Sequence, residues 1–314
     1  MNEKDNIMIW ELKAISCIIV ILFHCPIQGI IGDAIIYAVR FPIPIFFMIS
    51  GYYSFGKMNY LRYARKTLHL IVIGELISFI AMNICYFCGI STVNPYQTLK
   101  SINWLKTFFF GAIFNSTLWY LYAVFWGWIL LYFLAKSSYG MQLLKWCIVP
   151  ALIFHIVGRA LVIKYGNIDQ QVFLFRSTML YAIPFLGIGR LIAEYKEEII
   201  KRSFRVVPQV LFVIGIILLV VEYIIWHQYM DLHVSTIFIS MSLFLFAVRN
   251  PDFLSINPVV YIGHISQYIY LFHIPVLMVL KNIVETYFMK MTKILPGGGN
   301  CHNDSGIRDI CMRC

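Results

Sequence analysis

Nine stretches of this chain are apolar over enough consecutive residues to cross a hydrocarbon core of about 30 Å, which takes roughly 20 helical residues. They fall near residues 8–25, 34–55, 67–89, 117–135, 144–163, 173–192, 207–227, 233–248 and 266–288. A tenth patch, Trp104 to Phe114, is too short to span and runs into polar Asn115, Ser116 and Thr117, as a re-entrant or interfacial helix does. Segments of this length satisfy their backbone inside a bilayer only as helices. The expected fold is therefore all-α, a polytopic membrane bundle of nine or ten transmembrane helices. Residues 1–292 form its membrane domain and 293–314 a polar tail. Composition agrees: 60% of the residues are hydrophobic and 13% charged, against roughly 45–50% and 25% in soluble proteins.

The formal net charge of +10 has to crowd into the connecting loops, which points to membrane topology rather than to nucleic acid. Lys57, Arg62, Arg65 and Lys66 fall in one loop, and Lys196, Lys201, Arg202 and Arg205 in another, while Lys136 and Lys145 flank a third. If the spans alternate, all three share a side, and the positive-inside rule makes that side cytoplasmic. The expectation is a multi-pass protein of the cell membrane with its N-terminus inside and the loops around Gln28, Thr92 and Asn167 outside. Arg159, Lys164 and Arg176 run against this bias. The first stretch carries Glu11 and Lys13 in its opening turns and lacks a small-residue cleavage site, so it reads as a retained span rather than a removable signal. Most of the eight cysteines sit in apolar runs, where a thiol is usually a small buried hydrophobe, and no secreted disulfide framework is indicated.

Ionisable residues inside spans cost about 2.5–3.5 kcal/mol each on insertion scales, which makes each a candidate for function. Lys13 and His24 are separated by ten residues, and eleven helical steps return to within roughly 20° of the same face with a rise of about 16 Å. One helix thus carries a cation low and an imidazole high on one stripe. By themselves the two read equally as a snorkelling lysine and a polar helix end. In the second stretch Pro42 and Pro44 interrupt the helix, and Ser50-Gly51 permits close approach of another helix or a ligand. Arg62 and Arg65, at i and i+3 with Lys66 beside them, suit phosphate oxygens, or else anionic lipid at a positive-inside loop.

Other buried polar groups have several readings. Glu75 can form a structural ion pair with Lys13 or orient another donor. His155 and Arg159, with Glu222 at similar depth, frame a substrate pocket or satisfy one another. His273, near mid-span, reads as a core hydrogen-bonding residue. Cys85-x-x-Cys88 and the Cys301, His302, Cys311 and Cys314 set have metal-like spacings, but one lies at an apolar helix end and the other in the tail, and no metal is assigned to either.

In combination these features resemble a known family. Lys13-x10-His24 is followed by Arg40 and the Phe46-Phe47-Met48-Ile49-Ser50-Gly51-Tyr52 run, then by Arg62-x-x-Arg65 and Leu118-Trp119-Tyr120-Leu121. Ile262-Gly263-His264-Ile265-Ser266 and Tyr270-Leu271-Phe272-His273 come last. This order is similar to the acyltransferase-3 family of integral-membrane O-acyltransferases, over residues 8 to about 290. The basic-x10-His motif and the Phe-Phe-x-x-Ser-Gly-Tyr run are its specific parts. The stretch from Pro296 to Cys314 does not resemble a family span.

The resemblance implies transfer of an acyl group, usually acetyl from acetyl-CoA inside, to a hydroxyl of an envelope glycan or lipid-linked sugar outside. It implies His24 and Lys13 as the catalytic pair and Arg62 and Arg65, with Lys66, as the donor-binding residues. Arg40, Ser50, Tyr52, Glu75, Trp119, Arg159 and Glu222 are candidates for substrate binding or support. Chemistry is consistent with these roles. A sugar hydroxyl needs a base near neutral pKa, which imidazole supplies, and the phosphates of CoA suit arginine forks. Imidazole could equally carry the acyl group itself. The alternative is a transporter or flippase that uses the same buried charges without covalent chemistry.

Overall fold

The computed structural model describes residues 6–24, 29–89, 91, 93–100, 102, 104–111, 113–165, 174–226 and 231–294, and among them there is no strand. Helices α1 (Ile7–Phe23), α2 (Ile30–Ala38), α3 (Pro42–Ser54) and α4 (Tyr60–Phe87) come first. Short α5 (Pro95–Lys100) and α6 (Trp104–Phe110) lead to α7 (Trp119–Lys136) and α8 (Gly140–Tyr165). A π-helical turn, Thr178–Ala182, opens α9 (Ile183–Glu194), followed by α10 (Lys196–Ile200), α11 (Val207–Trp226), α12 (Val234–Arg249) and α13 (Asn257–Ile294). The two prolines of the second stretch fall in the first turn of α3, where a missing N–H costs nothing, and α2 ends four residues earlier.

Six segments of the described residues are long and apolar enough to cross a membrane: Gly32–Ser54, Tyr60–Phe87, Ser116–Lys136, Gly140–Tyr165, Arg202–Trp226 and Asn257–Lys281. Six such segments do not confirm nine or ten spans, and three of the expected stretches form shorter helices. α1 is 17 residues long and carries both Glu11 and Lys13. In the stretch at 173–192 the chain turns at Arg176–Ser177, after which the π turn and α9 run on together for 17 helical residues, and α12 has 16. Hydropathy sees these as continuous apolar runs, whereas the backbone interrupts or shortens them. The tenth patch, α6, is indeed a separate helix of seven residues. The polar tail beyond Ile294, with Cys301, His302, Cys311 and Cys314, lies outside the described residues, as do Gln28, Thr92 and Asn167.

α11 shows where lipid would lie. Its 20 residues bury only Pro208 and Gly215, while Val213, Ile217, Val220 and Ile224 are exposed, the pattern of a helix apolar all round at the rim of a bundle. The centre is built from α1, α3, α7, α9 and α12, whose Ile9, Phe47, Met48, Leu131, Phe185, Leu186 and Phe244 are fully enclosed. Glycine sets the closest crossing. A Cβ on Gly51 of α3 would strike the backbone carbonyl of Leu186, and one on Gly189 of α9 would strike that of Met48. The Ser50-Gly51 step thus admits another helix.

Three carboxylates, Glu11 and Glu75 buried and Glu222 half-buried, tie helices together through backbone amides. Glu11 accepts from the N–H of Ile256 at 2.6 Å, just before α13. Glu222 accepts from Val234 and Ser235, the first residues of α12, at 2.8 and 3.0 Å. Glu75 accepts from Ile113 and Phe114 at 2.9 Å each and from the Tyr122 hydroxyl at 3.3 Å. Chain starts leave amides that need acceptors, and a carboxylate from a neighbouring helix meets that need. The expected pairing of Glu75 with Lys13 is therefore not formed. The Lys13 ammonium lies over the Trp10 ring instead, 4.9 Å from its centroid.

Candidate functional site

α1 carries its predicted stripe against α13. Trp10 stacks on His264 with ring centroids 4.1 Å apart, and a Cβ on Gly263 would meet the Trp10 carbonyl, so the two helices approach closely at this level. Two turns on, the Cys17 thiol faces the Ser266 carbonyl at 3.6 Å. At the end of the stripe His24, the cap residue of α1, faces His273 with ring centroids 5.3 Å apart. Lys13, half-buried between Trp10 and Cys17, shares the stripe well below the imidazole.

Around His24 several elements end together. Arg40, in the turn before α3, lays its guanidinium on the Phe23 ring at 4.3 Å. The charges of Arg40 and Arg176 both reach the His24 ring. Arg176 donates twice to Asp231 Oδ1, from Nε at 3.0 Å and from Nη2 at 2.8 Å, and its guanidinium sits 5.6 Å from the Trp119 ring. Trp119, at the start of α7, also touches Phe47 and Tyr181. Asp231 lies in the loop before α12. Burial alone would raise its carboxyl, but the charge and hydrogen bonds of Arg176, with Arg40 and Arg159 further off, hold it down at about 2. His155 donates from Nδ1 to the Leu180 carbonyl at 3.2 Å, and Arg159 lies over Phe175.

The opposite end of the bundle is basic. Arg62, Arg65 and Lys66 are exposed on the first two turns of α4. Tyr60, which opens that helix, is fully buried, and its hydroxyl accepts from Arg190 of α9 at 2.6 Å. Arg190 also donates to the Ser54 carbonyl at 3.4 Å. Beside it lies a cavity of about 220 Å³ lined by Phe55, Leu144, Ile148 and the Lys145–Glu194 ion pair, whose charged atoms are 2.5 Å apart.

Of the residues singled out from sequence, the structure thus gathers His24, Arg40 and Trp119 at one end and leaves Arg62, Arg65 and Lys66 at the other. Ser50 bonds the Phe46 carbonyl at 2.9 Å and also meets the Tyr120 hydroxyl, and Tyr52 packs edge-on against Phe244, so both support α3. Glu75 and Glu222 are taken up by backbone amides. Asp231 and Arg190 escaped sequence reasoning. An aspartate between two spans looks like an ordinary loop residue, and Arg190 near a helix end looks like another positive-inside charge. The only sequence signal for the Asp231 partnership was Arg176, a cation on the wrong side of the charge bias.

The model of the acyltransferase-3 family, described as an acyltransferase domain, matches residues 12–297. No curated protein and no solved structure matches the chain. The family match takes in α1 from Leu12 onward, both ends of the bundle and all of α13. With nearly its whole length so covered, this helical membrane protein belongs to the acyltransferase-3 family.

Proposed function

We propose that the protein moves an acyl group, acetyl in the first instance, from cytoplasmic acyl-CoA to a hydroxyl of an envelope glycan or lipid-linked sugar on the far side of the cell membrane. The observation that carries this reading is the placement of His24 among cationic and aromatic groups at the end of the bundle opposite the exposed Arg62, Arg65 and Lys66. A phosphate-rich donor suits the basic end, where Arg190 and its cavity lie beside the start of α4 and guanidinium forks match phosphate oxygens. The thioester on its long flexible arm then reaches up between helices to His24. That imidazole, able to take a proton near neutral pH or to carry an acyl group, stands at the reacting centre. Lys13 lies below it on the same face, along the path the donor would follow.

Membranes holding the protein, supplied with radiolabelled acetyl-CoA and envelope glycan, should move label into an alkali-labile ester. A transporter without covalent chemistry would leave all label on CoA, and that result would end the proposal. His24→Ala and His24→Gln should both abolish transfer while the protein still inserts and purifies, since Gln can neither take a proton near neutral pH nor carry an acyl group. Robust transfer by His24→Gln would show that the residue only orients another group. Arg62→Ala or Arg65→Ala should raise the KM for acetyl-CoA by roughly tenfold or more, as expected for loss of a charge-assisted hydrogen bond. An unchanged donor KM in both variants would return these arginines to lipid anchoring.

A further inference from the structure

His273 is 6% exposed, and its ring has one satisfied nitrogen and one that is not. Nδ1 lies 2.6 Å from the carbonyl oxygen of Tyr270, one turn back along α13. A carbonyl can only accept, so Nδ1 carries the proton. In the neutral ring Nε2 is then a bare acceptor. No group among the described residues donates to it. The tautomer is well braced, because Tyr270 itself is fixed through its hydroxyl, which donates to the Thr117 carbonyl at the foot of α7. The ring is thus held facing His24 across 5.3 Å between centroids, with no hydrogen bond between the two rings.

A buried acceptor without a donor is costly, and one that faces His24 suits a ligand that brings an N–H or O–H. In acyl transfer to an alcohol one reactant brings an O–H, namely the acceptor hydroxyl. The 5.3 Å between the ring centroids marks the level at which that hydroxyl would enter. We propose that His273 is a second catalytic residue, whose Nε2 receives the hydroxyl proton of the acceptor while His24 faces the acyl group. The inference rests on the acyl-transfer reading above. As the hydroxyl oxygen bonds to the acyl carbon, its proton passes to Nε2. The bond from the acyl carbon to the donor sulfur breaks, and the sulfur leaves with the electron pair and collects that proton, which returns His273 to neutrality.

Two substitutions separate chemistry from packing. His273→Asn places an amide N–H where Nδ1 stood, so it can keep the bond to the Tyr270 carbonyl, but it has nothing in place of Nε2. His273→Gln puts an amide near Nε2 that can hydrogen-bond a hydroxyl without taking its proton. In the acetyl-CoA and envelope-glycan assay both variants should melt like the native protein and lose 10²–10⁴-fold in kcat, the usual contribution of a positioned base. The donor KM should stay within threefold, and His273→Gln should hold the glycan KM closer to the native value than His273→Asn does. Should the variants unfold, the ¹⁵N resonances of histidine in the native protein decide: an Nδ1–H tautomer at His273 whose Nε2 signal moves on adding glycan, and not on adding CoA, supports the role. Native-like kcat in His273→Asn, or an Nε2–H tautomer, would overturn it. If His24→Ala is inactive while His273→Asn is not, this inference alone falls, whereas absence of any ester in the native protein removes the reading beneath it.

Discussion

Three arginines, Arg176, Arg40 and Arg159, lie within electrostatic reach of Asp231, and Arg176 binds one carboxylate oxygen twice. The folded carboxyl sits at about 2, below its ordinary value near 3.9, so the protein gains stability from it at every pH above about 4. That contribution fades as pH falls through 2, where the folded state also binds the proton. Asp231→Asn should therefore destabilise the detergent-solubilised protein by about 1–3 kcal/mol, because it leaves the half-buried Arg176 guanidinium without this anion. The gap between native and variant melting should hold from pH 8 to pH 4 and close only below about pH 3. A gap that closes between pH 5 and 6 would mean a carboxylate titrating in its usual range and no such pair. At this scale the sequence placed His24, Arg40, Trp119 and the exposed arginines of α4, since motif order and helical angle depend on local spacing alone. It could not place Glu75 or Glu222, whose partners are backbone amides brought up by other segments. For the same reason Asp231 looked like loop polarity.

Between elements, the crossing of α3 and α9 rests on two glycines that each receive the other helix's backbone. An added methyl at Gly51 or Gly189 meets a carbonyl, which cannot rotate away, whereas at Gly187 it meets the Cδ1 tip of Ile148 at 2.9 Å, which can. Gly51→Ala and Gly189→Ala should each destabilise by at least the 1–3 kcal/mol typical of overpacking, and Gly187→Ala by clearly less, as read from thermal unfolding in detergent. Equal losses at all three positions would mean that the crossing is not set by backbone contact. The Ser50-Gly51 pair announced a close approach, because a small residue after a polar one in an apolar run has few other uses. Element boundaries were less legible. Hydropathy averages over a window, so it ran 173–192 together across the turn at Arg176–Ser177 and set the ends of α1 and α12 beyond their 17 and 16 helical residues. Such breaks come from backbone geometry and caps rather than from apolarity. They coincide with the site, since the turn before α3, the π turn and the start of α12 all lie near Arg40, Tyr181 and Asp231.

For the molecule as a whole, exposed cations mark one set of helix ends, whereas the arginines near His24 are more enclosed. The starts of α4 and α8 and the end of α9 carry Arg62, Arg65, Lys66, Lys145 and Arg190, and Arg249 at the end of α12 bonds the carbonyls of Ile199 and Lys201 in the same region. The end of α1 and the starts of α3, α7 and α12 gather around His24 instead. If the basic end faces the cytoplasm, as cation bias predicts, the proposed donor would arrive at the exposed Arg62, Arg65 and Lys66 and the proposed acceptor beside His24. The native chain offers a reporter, since Cys88 follows α4 directly and is exposed, one long helix away from Arg62. With the other cysteines replaced, Cys88 in intact cells should react with a membrane-impermeant maleimide. A cysteine at exposed Asn59, immediately before α4, should react only after the membrane is opened. Because a single helix of 28 residues joins the two positions, they must lie on opposite sides if that helix crosses. Labelling of both from outside would remove α4 from the membrane. The reverse pattern would put Arg62 and Arg65 outside, where acyl-CoA is absent, and would require the donor and acceptor ends of the proposed reaction to be exchanged.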